Sequence, residues 1–586
     1  MSTPTAALKG FSEYRFTPLV ATPPVVDKHQ LDVYIERLRN SSRKFATLSL
    51  DERIDLARSM QQGYLKISEQ SVAMACKAKG ITLGTPQEGK EWALGPWAIV
   101  RNLRLVCEQL ASIKKTGNTR IGKIGKTIDD NLCVRVFPAS MIDGMLFKGV
   151  TVDVHLQKGV TSDLMALSRA QFYKRPDHNG SVVLVLGAGN LAMLPVLDVI
   201  TKMFNDGKVC MLKMNPVNAY IGPFIEKAFA SAIYQGFLSV VYGGAEEGKY
   251  LVKHDGIDEI HITGSDKTYD AIVWGPSGPD QEKRKASGSP LIRKKITSEL
   301  GNVSPIIITP GPYTNRELRF MAEDIAGSFT INSSYSCCVT KILVLPKGWE
   351  DRKAFLNILT EILQQIPPRK AYYPGTAERY DFFTQGGTRC SSFGTATDGA
   401  LPWTLVTGLD PENEQEPLFT TESFCPVLGE TAVGSSDLLD FLDKAVDFVN
   451  SRLWGTLSAM LVVHPKITND PKSSAAIERA IGRLRYGTVC VNAFPGMMTV
   501  LGTPPWGAYP GSTEADIQSG RGWVHNRAMI EGIEKVVARF PLTSFPKPAY
   551  FPSHRTEHIM MRRMVALEEK SSWSKVPGVV IAAMMG

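Results

Sequence analysis

Hydrophobic and polar positions along this chain follow two periods that alternate over most of its length. From residue 181 onward, short apolar runs predict strands at 181–186, 209–212, 238–242 and 259–263. Between them, hydrophobic residues recur at helical spacing over 191–205, 220–235 and 246–254. Strands that alternate with helices favour a parallel, doubly wound sheet. A second α/β run extends from 303 to about 490, so we expect two α/β domains.

The regions around this core have patterns of their own. Helical periodicity begins after Ser49, a good N-cap followed by acidic residues, and continues to about residue 110. Between about 133 and 180 the residues alternate as in strands, which predicts a hairpin arm. A polar stretch rich in Gly and Pro at about 275–290 is predicted to be an insert in the first α/β run.

Composition narrows the classes of function. With 586 residues, 43% hydrophobic and 21% charged, the chain is typical of a soluble protein of two or three domains. Its net charge of +8 is spread out, and the basic stretches 283–285 and 293–295 are short and carry no aromatic residues, so we expect no nucleic-acid partner. The longest apolar run, 181–200, contains Asn190, Pro195 and Asp198, which argues against a membrane span.

The nine cysteines are scattered, with neither CxxC pairs nor His-rich ligand spacing. This distribution argues against a metal site and against a disulfide scaffold. An odd number of cysteines, with no recognisable signal peptide, indicates the reducing cytoplasm.

Two short segments suggest covalent chemistry. Glu299 lies in the segment 298–305, and the pair Cys337 and Cys338 closes the segment 332–338. A reactive cysteine needs a group that handles protons, and a nearby carboxylate can do this directly or through one water. Taken alone, Glu299 could equally cap a helix, and both cysteines could be small core residues.

The first strand of the α/β core leads into a glycine-rich turn. Residues 182–192 match a strand followed by GxGxxA, the fingerprint of a dinucleotide-binding Rossmann unit. That unit requires an acidic residue at the end of the next strand, but this strand ends in Lys213. The simple fingerprint is therefore a weak signal on its own.

The order of the strand ends is more specific than any one of them. Successive ends offer Asn190, Lys213 with Pro216, Gly243-Gly244 and Thr263-Gly264-Ser265, followed by Glu-Leu-Gly and then Cys. In this order the motifs resemble the aldehyde dehydrogenase superfamily, and the resemblance covers residues from about 40 to 540.

The resemblance implies a role for each matched residue. Cys337 matches the nucleophile, Glu299 the general base and Asn190 the asparagine that stabilises the oxyanion. Cys338 competes with Cys337, but Asn332 lies five residues before Cys337, the usual distance in the family, and this favours Cys337. The remaining matched positions imply a site for NAD or NADP, namely Gly187, Lys213, Thr263, Gly264, Ser265, Leu300, Glu422 and Phe424.

The resemblance also implies a domain plan. It consists of an N-terminal helical part of the cofactor domain (1–135), a β-rich oligomerisation arm (136–180), a Rossmann-like NAD(P)-binding domain (181–300), a catalytic domain (301–492) and a C-terminal segment that returns to the arm and ends in an extra tail (493–586). The arm predicts a homodimer or homotetramer. The family fold is thus α/β, with a doubly wound cofactor domain, a second α/β catalytic domain and a small β arm.

The chain departs from the family pattern in places that bear on function. Where the family commonly has Gly-Gln before the nucleophile, this chain has Ser334-Tyr335, and Glu-Leu-Gly-Gly reads Glu-Leu-Gly-Asn at 299–302. Many NAD-preferring members carry a ribose-binding Glu three residues after the lysine, and Pro216 stands there instead. Both NAD and NADP therefore stay open.

The function implied is oxidation of a small aldehyde to an acid through a cysteine thiohemiacetal and a thioester that Glu299-activated water hydrolyses. One alternative is a CoA-acylating relative or acyl reductase, although that branch often lacks the glutamate base. The other is a catalytically silent member that keeps only the fold. The choice of aldehyde stays open, since the aromatic residues Tyr335, Phe494 and Trp506 indicate only an apolar substrate.

Overall fold

The first part of the chain is helical. A computed structural model describes residues 20–175, 178–385, 389–395 and 399–586. Ser49 accepts a hydrogen bond from the backbone N–H of Glu52, whose carboxylate accepts one from the backbone N–H of Ser49, so the predicted N-cap is confirmed. The helices here are α1 (Lys28–Ala46), α2 (Leu50–Lys79), α3 (Glu88–Trp92), a π-helical segment (Ala93–Trp97) and α4 (Ala98–Thr116).

Three antiparallel strands follow and form an arm. Val134, Val152 and Val154 are fully buried on one face, while Arg135 and Asp153 form a 2.6 Å ion pair on the other. This alternation is the reason for strand formation here. The elements are β1 (Ile124–Lys126), β2 (Leu132–Phe137), α5 (Met141–Leu146), β3 (Thr151–Leu156), α6 (Ser162–Ser168) and α7 (Gln171–Lys174).

The first α/β unit has a parallel sheet in the order β8-β7-β4-β5-β6. Its strands match the predicted ones closely, whereas the helix predicted at 220–235 is broken at Phe229, which leaves helical geometry. The insert near 275–290 contains a helix, α13. The elements are β4 (Val182–Leu186), α8 (Leu194–Phe204), β5 (Val209–Lys213), a 3-10 turn (Pro216–Ile221), α9 (Gly222–Ala228), α10 (Ala230–Tyr234), β6 (Leu238–Val241), α11 (Ala245–Lys253), β7 (Glu259–Thr263), α12 (Asp266–Val273), α13 (Pro279–Ser287) and β8 (Lys295–Glu299).

The second α/β unit supplies most of a larger sheet. Its elements are β9 (Pro305–Ile308), α14 (Asn315–Thr330), a 3-10 turn (Ile331–Ser334), β10 (Ile342–Pro346), α15 (Arg352–Gln365), β11 (Arg369–Lys370), α16 (Thr376–Thr384), β12 (Cys390–Phe393), β13 (Ala400–Leu401), β14 (Trp403–Leu409), α17 (Pro417–Thr420), β15 (Val427–Val433), α18 (Leu438–Ser451), β16 (Ser458–Val462), a 3-10 turn (Ile467–Asn469), α19 (Pro471–Arg483) and β17 (Thr488–Val491).

The C-terminal segment returns to both sheets. Its elements are α20 (Met497–Leu501), β18 (Trp506–Gly507), β19 (Gly520–Arg521), β20 (Trp523–Val524), β21 (Ile533–Arg539), α21 (Glu557–Glu569), a 3-10 turn (Trp573–Lys575) and α22 (Val576–Met584). β19 pairs with β8, and β21 joins the arm to an eleven-stranded sheet ordered β1-β2-β3-β21-β17-β16-β9-β10-β15-β14-β12. From β21 to β14 the strands run parallel. The predicted α/β fold class is confirmed.

The last helices dock onto the first ones through buried charges. Lys90 Nζ lies 2.7 Å from Glu557 Oε2, and Glu568 accepts hydrogen bonds from Arg101 (2.6 Å) and Arg104 (2.7 Å). All of these side chains except that of Arg104 are less than a tenth exposed. Buried charges persist only where they are paired, so α21 and the N-terminal helices depend on each other. No helix among the described residues is long and apolar enough to cross a membrane.

Candidate active site

A cavity of about 910 Å³ lies where the carboxyl ends of the first sheet meet the second α/β unit. In open α/β sheets, ligands bind at this edge of the strands. The structure brings together around the cavity every site residue predicted from the sequence. They are Gly187, Asn190, Lys213, Thr263, Gly264, Ser265, Glu299, Leu300, Cys337, Glu422 and Phe424.

Glu299 ends β8 and is 3% exposed. Its Oε1 accepts a 2.8 Å hydrogen bond from Trp506 Nε1, and its Oε2 has no hydrogen-bond partner among the described residues. Burial, together with the negative charge of Asp198, raises the pKa of Glu299 to about 8. A carboxyl of this kind can accept and release protons near neutral pH, as a general base requires.

Cys337 faces this carboxyl. Its thiol donates to Glu299 Oε1 over 3.8 Å, and its side chain is part of the cavity wall. A hydrogen bond with the neighbouring thiol of Cys338, burial and the charge of Glu299 raise the pKa of Cys337. Cys338 is 7% exposed and packs in the core beside Gly496, where a Cβ would come within 3.2 Å of its sulfur. Of the two thiols, only that of Cys337 borders the large cavity.

The segment before Cys337 has an unusual backbone. Asn332, Ser333 and Ser334 all have positive φ, at 50°, 56° and 67°. Side chains other than glycine and asparagine pay about 1–2 kcal/mol for this conformation. The Ser334 position is where the family commonly has glycine, and here the hydroxyl of Ser334 donates to Phe329 O (2.5 Å) while Lys341 Nζ donates to Ser334 O (3.1 Å).

Asn332 is the centre of a buried hydrogen-bond network. Its Oδ1 accepts from Lys79 Nζ (3.0 Å) and from the hydroxyl of Tyr372 (2.9 Å), and its Nδ2 donates to Asn190 O (3.0 Å) and Tyr335 O (2.8 Å). Lys79 is itself held by Glu91 at 2.9 Å. These bonds hold the strained segment against the turn that carries Asn190.

Asn190 follows β4, one residue after the glycine-rich turn, and is 7% exposed. Its side-chain amide donates to the backbone carbonyl of Tyr335 at 3.1 Å, two residues before Cys337. This bond uses one of the two hydrogens of the amide. Asn190 is therefore fixed beside the thiol and keeps a second donor.

The rest of the cavity suits a dinucleotide. Gly264 and Ser265 precede α12, and the side chain of Ser265 caps that helix, so the positive end of the helix dipole faces the cavity. Lys213 is 8% exposed and offers ammonium hydrogens. Glu422 Oε1 is buried and accepts no hydrogen bond from the described residues, as expected for an acceptor of ribose hydroxyls. A Cβ on Gly301 would lie 2.3 Å from Glu422 Oε2, so only glycine leaves room for this carboxyl.

A second, much smaller cavity lies next to Cys337. Its volume is about 20 Å³, and it shares Glu299, Leu194 and Cys337 with the large cavity. One water needs about 10–15 Å³ in this measure, so the space admits a small group only. Its remaining walls are mostly apolar, formed by Leu94, Leu191, Met193, Ile331, Asn332, Ser336, Cys338, Phe494, Gly496, Thr499 and Trp506.

Sequence reasoning did not assign the partners of the predicted residues. Trp506 was expected only as part of an apolar substrate region, and its hydrogen bond to Glu299 spans 207 residues. Lys79 and Tyr372 carried no local signal at all. The positive φ of Ser334 had one indication in the sequence, because serine stands there in place of the glycine of the family pattern.

Comparison with known proteins agrees with the geometry. The model of the "Aldehyde dehydrogenase family" matches residues 168–377. A D-glyceraldehyde dehydrogenase (NADP(+)) of Picrophilus torridus is 23% identical over 334 residues, which cover 54% of this chain and 61% of that protein. An N-succinylglutamate 5-semialdehyde dehydrogenase of Caulobacter vibrioides is 24% identical over 36% of this chain and 40% of its own length. The chain thus spans from two fifths to three fifths of these curated relatives.

Solved structures extend the likeness over most of the chain. A glyceraldehyde-3-phosphate dehydrogenase of Methanocaldococcus jannaschii, complexed with NADP, superposes with a TM-score of 0.58 at 14% identity, over 89% of this chain and 98% of that one. An NADP-dependent glyceraldehyde-3-phosphate dehydrogenase of Bacillus halodurans gives 0.58 at 17% identity, over 88% and 92%. At such identities the likeness shows the fold. The resemblance predicted from the sequence is confirmed.

Proposed function

Because this chain is related to the aldehyde dehydrogenases in sequence and fold, we propose that it oxidises an aldehyde to the carboxylic acid with NAD or NADP. The observation that carries the proposal is the contact of the Cys337 thiol with the Glu299 carboxyl, 3.8 Å apart, at the wall of a cavity that suits a dinucleotide. A nucleophile and a base in contact are the minimum for covalent catalysis at an acyl carbon.

The first half of the reaction forms the acyl-enzyme. Glu299 takes the thiol proton, and the sulfur of Cys337 attacks the aldehyde carbon to give a thiohemiacetal. The free amide hydrogen of Asn190 and the backbone N–H of Cys337 stabilise the oxyanion. When bound, NAD(P) would supply the acceptor for the hydride that this carbon loses, which leaves a thioester on Cys337.

The second half hydrolyses the thioester. Glu299 removes a proton from water, the water oxygen bonds to the acyl carbon, and Cys337 leaves as thiolate. Glu299 supports hydrolysis rather than transfer to CoA because it supplies the base that water needs. The small apolar cavity beside Cys337 favours short, apolar aldehydes.

The cofactor residues divide the binding between them. Lys213 would bind the adenosine ribose. The N-terminus of α12, with Gly264 and Ser265, would bind the pyrophosphate, and Glu422 would bind the nicotinamide ribose.

We propose further that the arm of β1 to β3 pairs with a second copy of the chain to give a homodimer or homotetramer. Light scattering on the purified protein would measure the oligomeric state.

The test is turnover of a panel of aldehydes of increasing chain length with NAD or NADP, with and without CoA, read as absorbance of the reduced cofactor. We expect reduction without CoA that stops in Cys337→Ala and persists in Cys338→Ala. Strict dependence on CoA would instead support the acylating alternative. Absence of both turnover and thiol labelling at Cys337 would support a silent member of the fold.

A further inference from the structure

A second cluster of buried ionisable groups lies behind Glu299 and takes no part in the chemistry above. Asp198 on α8 is fully buried, and its Oδ1 lies 3.5 Å from His261 Nε2 and 3.6 Å from His525 Nε2. Both histidines are 1% exposed. Its other oxygen, Oδ2, accepts a 2.8 Å hydrogen bond from the hydroxyl of Thr263. A carboxylate and two imidazoles are costly to bury unless they are paired.

The cluster reaches Glu299 through the pairing of two strands. Thr263 on β7 is the direct partner of Glu299 on β8, and adjacent parallel strands lie about 4.8 Å apart with paired side chains on the same face. Both residues form part of the wall of the large cavity. Oε2 of Glu299 has no hydrogen-bond partner among the described residues and is therefore available to a water that bridges to the Thr263 hydroxyl on the neighbouring strand.

The cluster also reaches toward the surface. The other ring nitrogen of His261, Nδ1, lies 2.8 Å from the hydroxyl of Thr297, which is its strand partner on β8. Thr297 is only partly buried, and the exposed Gly522 lies over it, where a Cβ would be 3.4 Å from the Thr297 methyl. Polar atoms therefore extend from Glu299 through Thr263, Asp198 and His261 to a residue in contact with solvent.

We propose that Thr263, His261 and Thr297, with Asp198 as the counter-ion of His261, form a proton relay that removes the proton from Glu299 during each turnover. The proposal rests on the proposed function. In that function Glu299 receives the thiol proton of Cys337 in the first half and must lose it before it can take a proton from water in the second. A base enclosed by protein needs a path for both protons, and chains of hydrogen bonds provide one.

The transfer balances at every atom. Glu299 gives its proton, through one water, to the hydroxyl oxygen of Thr263, and that hydroxyl passes its own proton to His261 Nε2, which lies 3.3 Å away. His261 then releases the proton on Nδ1 to the hydroxyl oxygen of Thr297, and that hydroxyl passes its own proton to solvent. No bond between heavy atoms changes and no electron is transferred.

The charges around Asp198 keep it ionised. Besides His261 and His525, the cations Lys202 on α8 and Arg527 in the C-terminal segment act on it, and Glu299 is the anion that acts on it from β8. Burial opposes ionisation, but the two imidazoles prevail and lower the pKa of Asp198. Asp198 therefore stays ionised and stabilises the positive charge that His261 carries while a proton is in transit.

The experiment separates the two halves of the reaction. The full-length protein is mixed with p-nitrophenyl acetate, which acylates a reactive thiol without any cofactor, and the burst of nitrophenolate gives acylation while the steady state gives hydrolysis of the acyl-enzyme. His261→Gln is expected to slow hydrolysis about tenfold or more, in the range of lost proton-transfer catalysis, with acylation changed less than about twofold. Thr297→Val, at the outer end, is expected to slow hydrolysis in the same direction.

His464→Gln is the matched control, because His464 is 2% exposed and lies 3.3 Å from Glu317, outside the site. It should change neither phase. Imidazole in the buffer should restore hydrolysis in Thr297→Val, because it can accept the proton that His261 Nδ1 releases. If His261→Gln does not fold, as judged by circular dichroism, Thr297→Val and its rescue decide the matter.

The outcomes are distinct from those of the proposed function. A wild-type protein with no burst and no thiol labelling contradicts the covalent function itself. A wild-type burst together with unchanged hydrolysis in both variants overturns the relay and leaves the function standing. Equal loss of both phases also overturns it, since that is the signature of a structural role.

Discussion

The hydrogen bond from Trp506 to Glu299 makes a prediction that can be worked through in numbers. Trp506→Phe keeps a ring in a position that is 1% exposed and removes the N–H that donates to Oε1 over 2.8 Å. That bond stabilises the ionised carboxylate and therefore opposes the burial that raises the pKa of Glu299 to about 8. Without it, the protonated form of Glu299 is favoured further.

The magnitude follows from the strength of a hydrogen bond to a charged group, about 1.5 kcal/mol at the lower end of its range. This energy corresponds to roughly a tenfold change in the ionisation equilibrium. Below the pKa the rate of a base-catalysed step follows the ionised fraction, so acyl-enzyme hydrolysis at pH 7 should fall about tenfold. At about pH 10 Glu299 is ionised in both proteins, and the rates should converge within about twofold.

The assay is the steady-state release of nitrophenolate after the burst, measured from pH 6 to 10. Trp403→Phe is the control, because Trp403 is equally buried but donates to the carbonyl of Ile366, away from the site. A loss of the same size at every pH would refute the reasoning and indicate misplacement of Glu299. An unchanged rate at pH 7 would refute it as well.

Three further predictions concern the cofactor, the strained segment and the docked helices. Burial raises the pKa of Glu422 to about 7, so affinity for NAD(P), measured by fluorescence titration, should rise with pH through 7, and Glu422→Gln should weaken binding about tenfold and abolish that rise. Ser334→Gly should keep the burst rate, whereas Ser334→Ala, which retains the positive φ but loses the bond to Phe329 O, should slow it, and equal rates would contradict the role of strain. Glu568→Gln leaves Arg101 and Arg104 without their shared carboxylate and should lower the free energy of unfolding in urea by about 3–5 kcal/mol. Burial would raise the pKa of Glu568, but the two guanidinium groups lower it, so the ionised carboxylate stabilises the fold at neutral pH. The difference in unfolding free energy between the wild type and Glu568→Gln should therefore become smaller in acid. A difference that persists in acid would contradict the charge argument.

Much of the fold could be predicted because its signals are local. Strands buried on both faces are continuous apolar runs, as in 182–186 and 209–212, and their turns need glycine or proline nearby. The carboxyl ends of parallel strands share one edge, so motifs placed there along the chain, such as Asn190 and Thr263, had to meet in space. Helix interruptions were harder to predict, because the helix break at Phe229 has no Gly or Pro to mark it.

The environment of the site could not be predicted because it is made by distant contacts. Glu299 depends on Trp506, and Asn332 depends on Lys79 from 253 residues away. Asp198 was read in the sequence only as a polar residue that argues against a membrane span, and its buried partners come from β7 and from the C-terminal segment. The end of the chain was predicted only as an extra tail, yet its helix α21 pairs with Lys90, Arg101 and Arg104.

The docking of α21 on the N-terminal helices has a consequence for how the protein is made. Arg101 and Glu568 are separated by 467 residues, so a ribosome that adds about 5–20 residues per second needs about 20–90 s between them. During that interval Lys90, Arg101 and Arg104 lack the carboxylates that α21 supplies. The helices that carry Lys90, Arg101 and Arg104 are therefore among the last parts of the fold to complete their contacts, because these wait for the synthesis of α21.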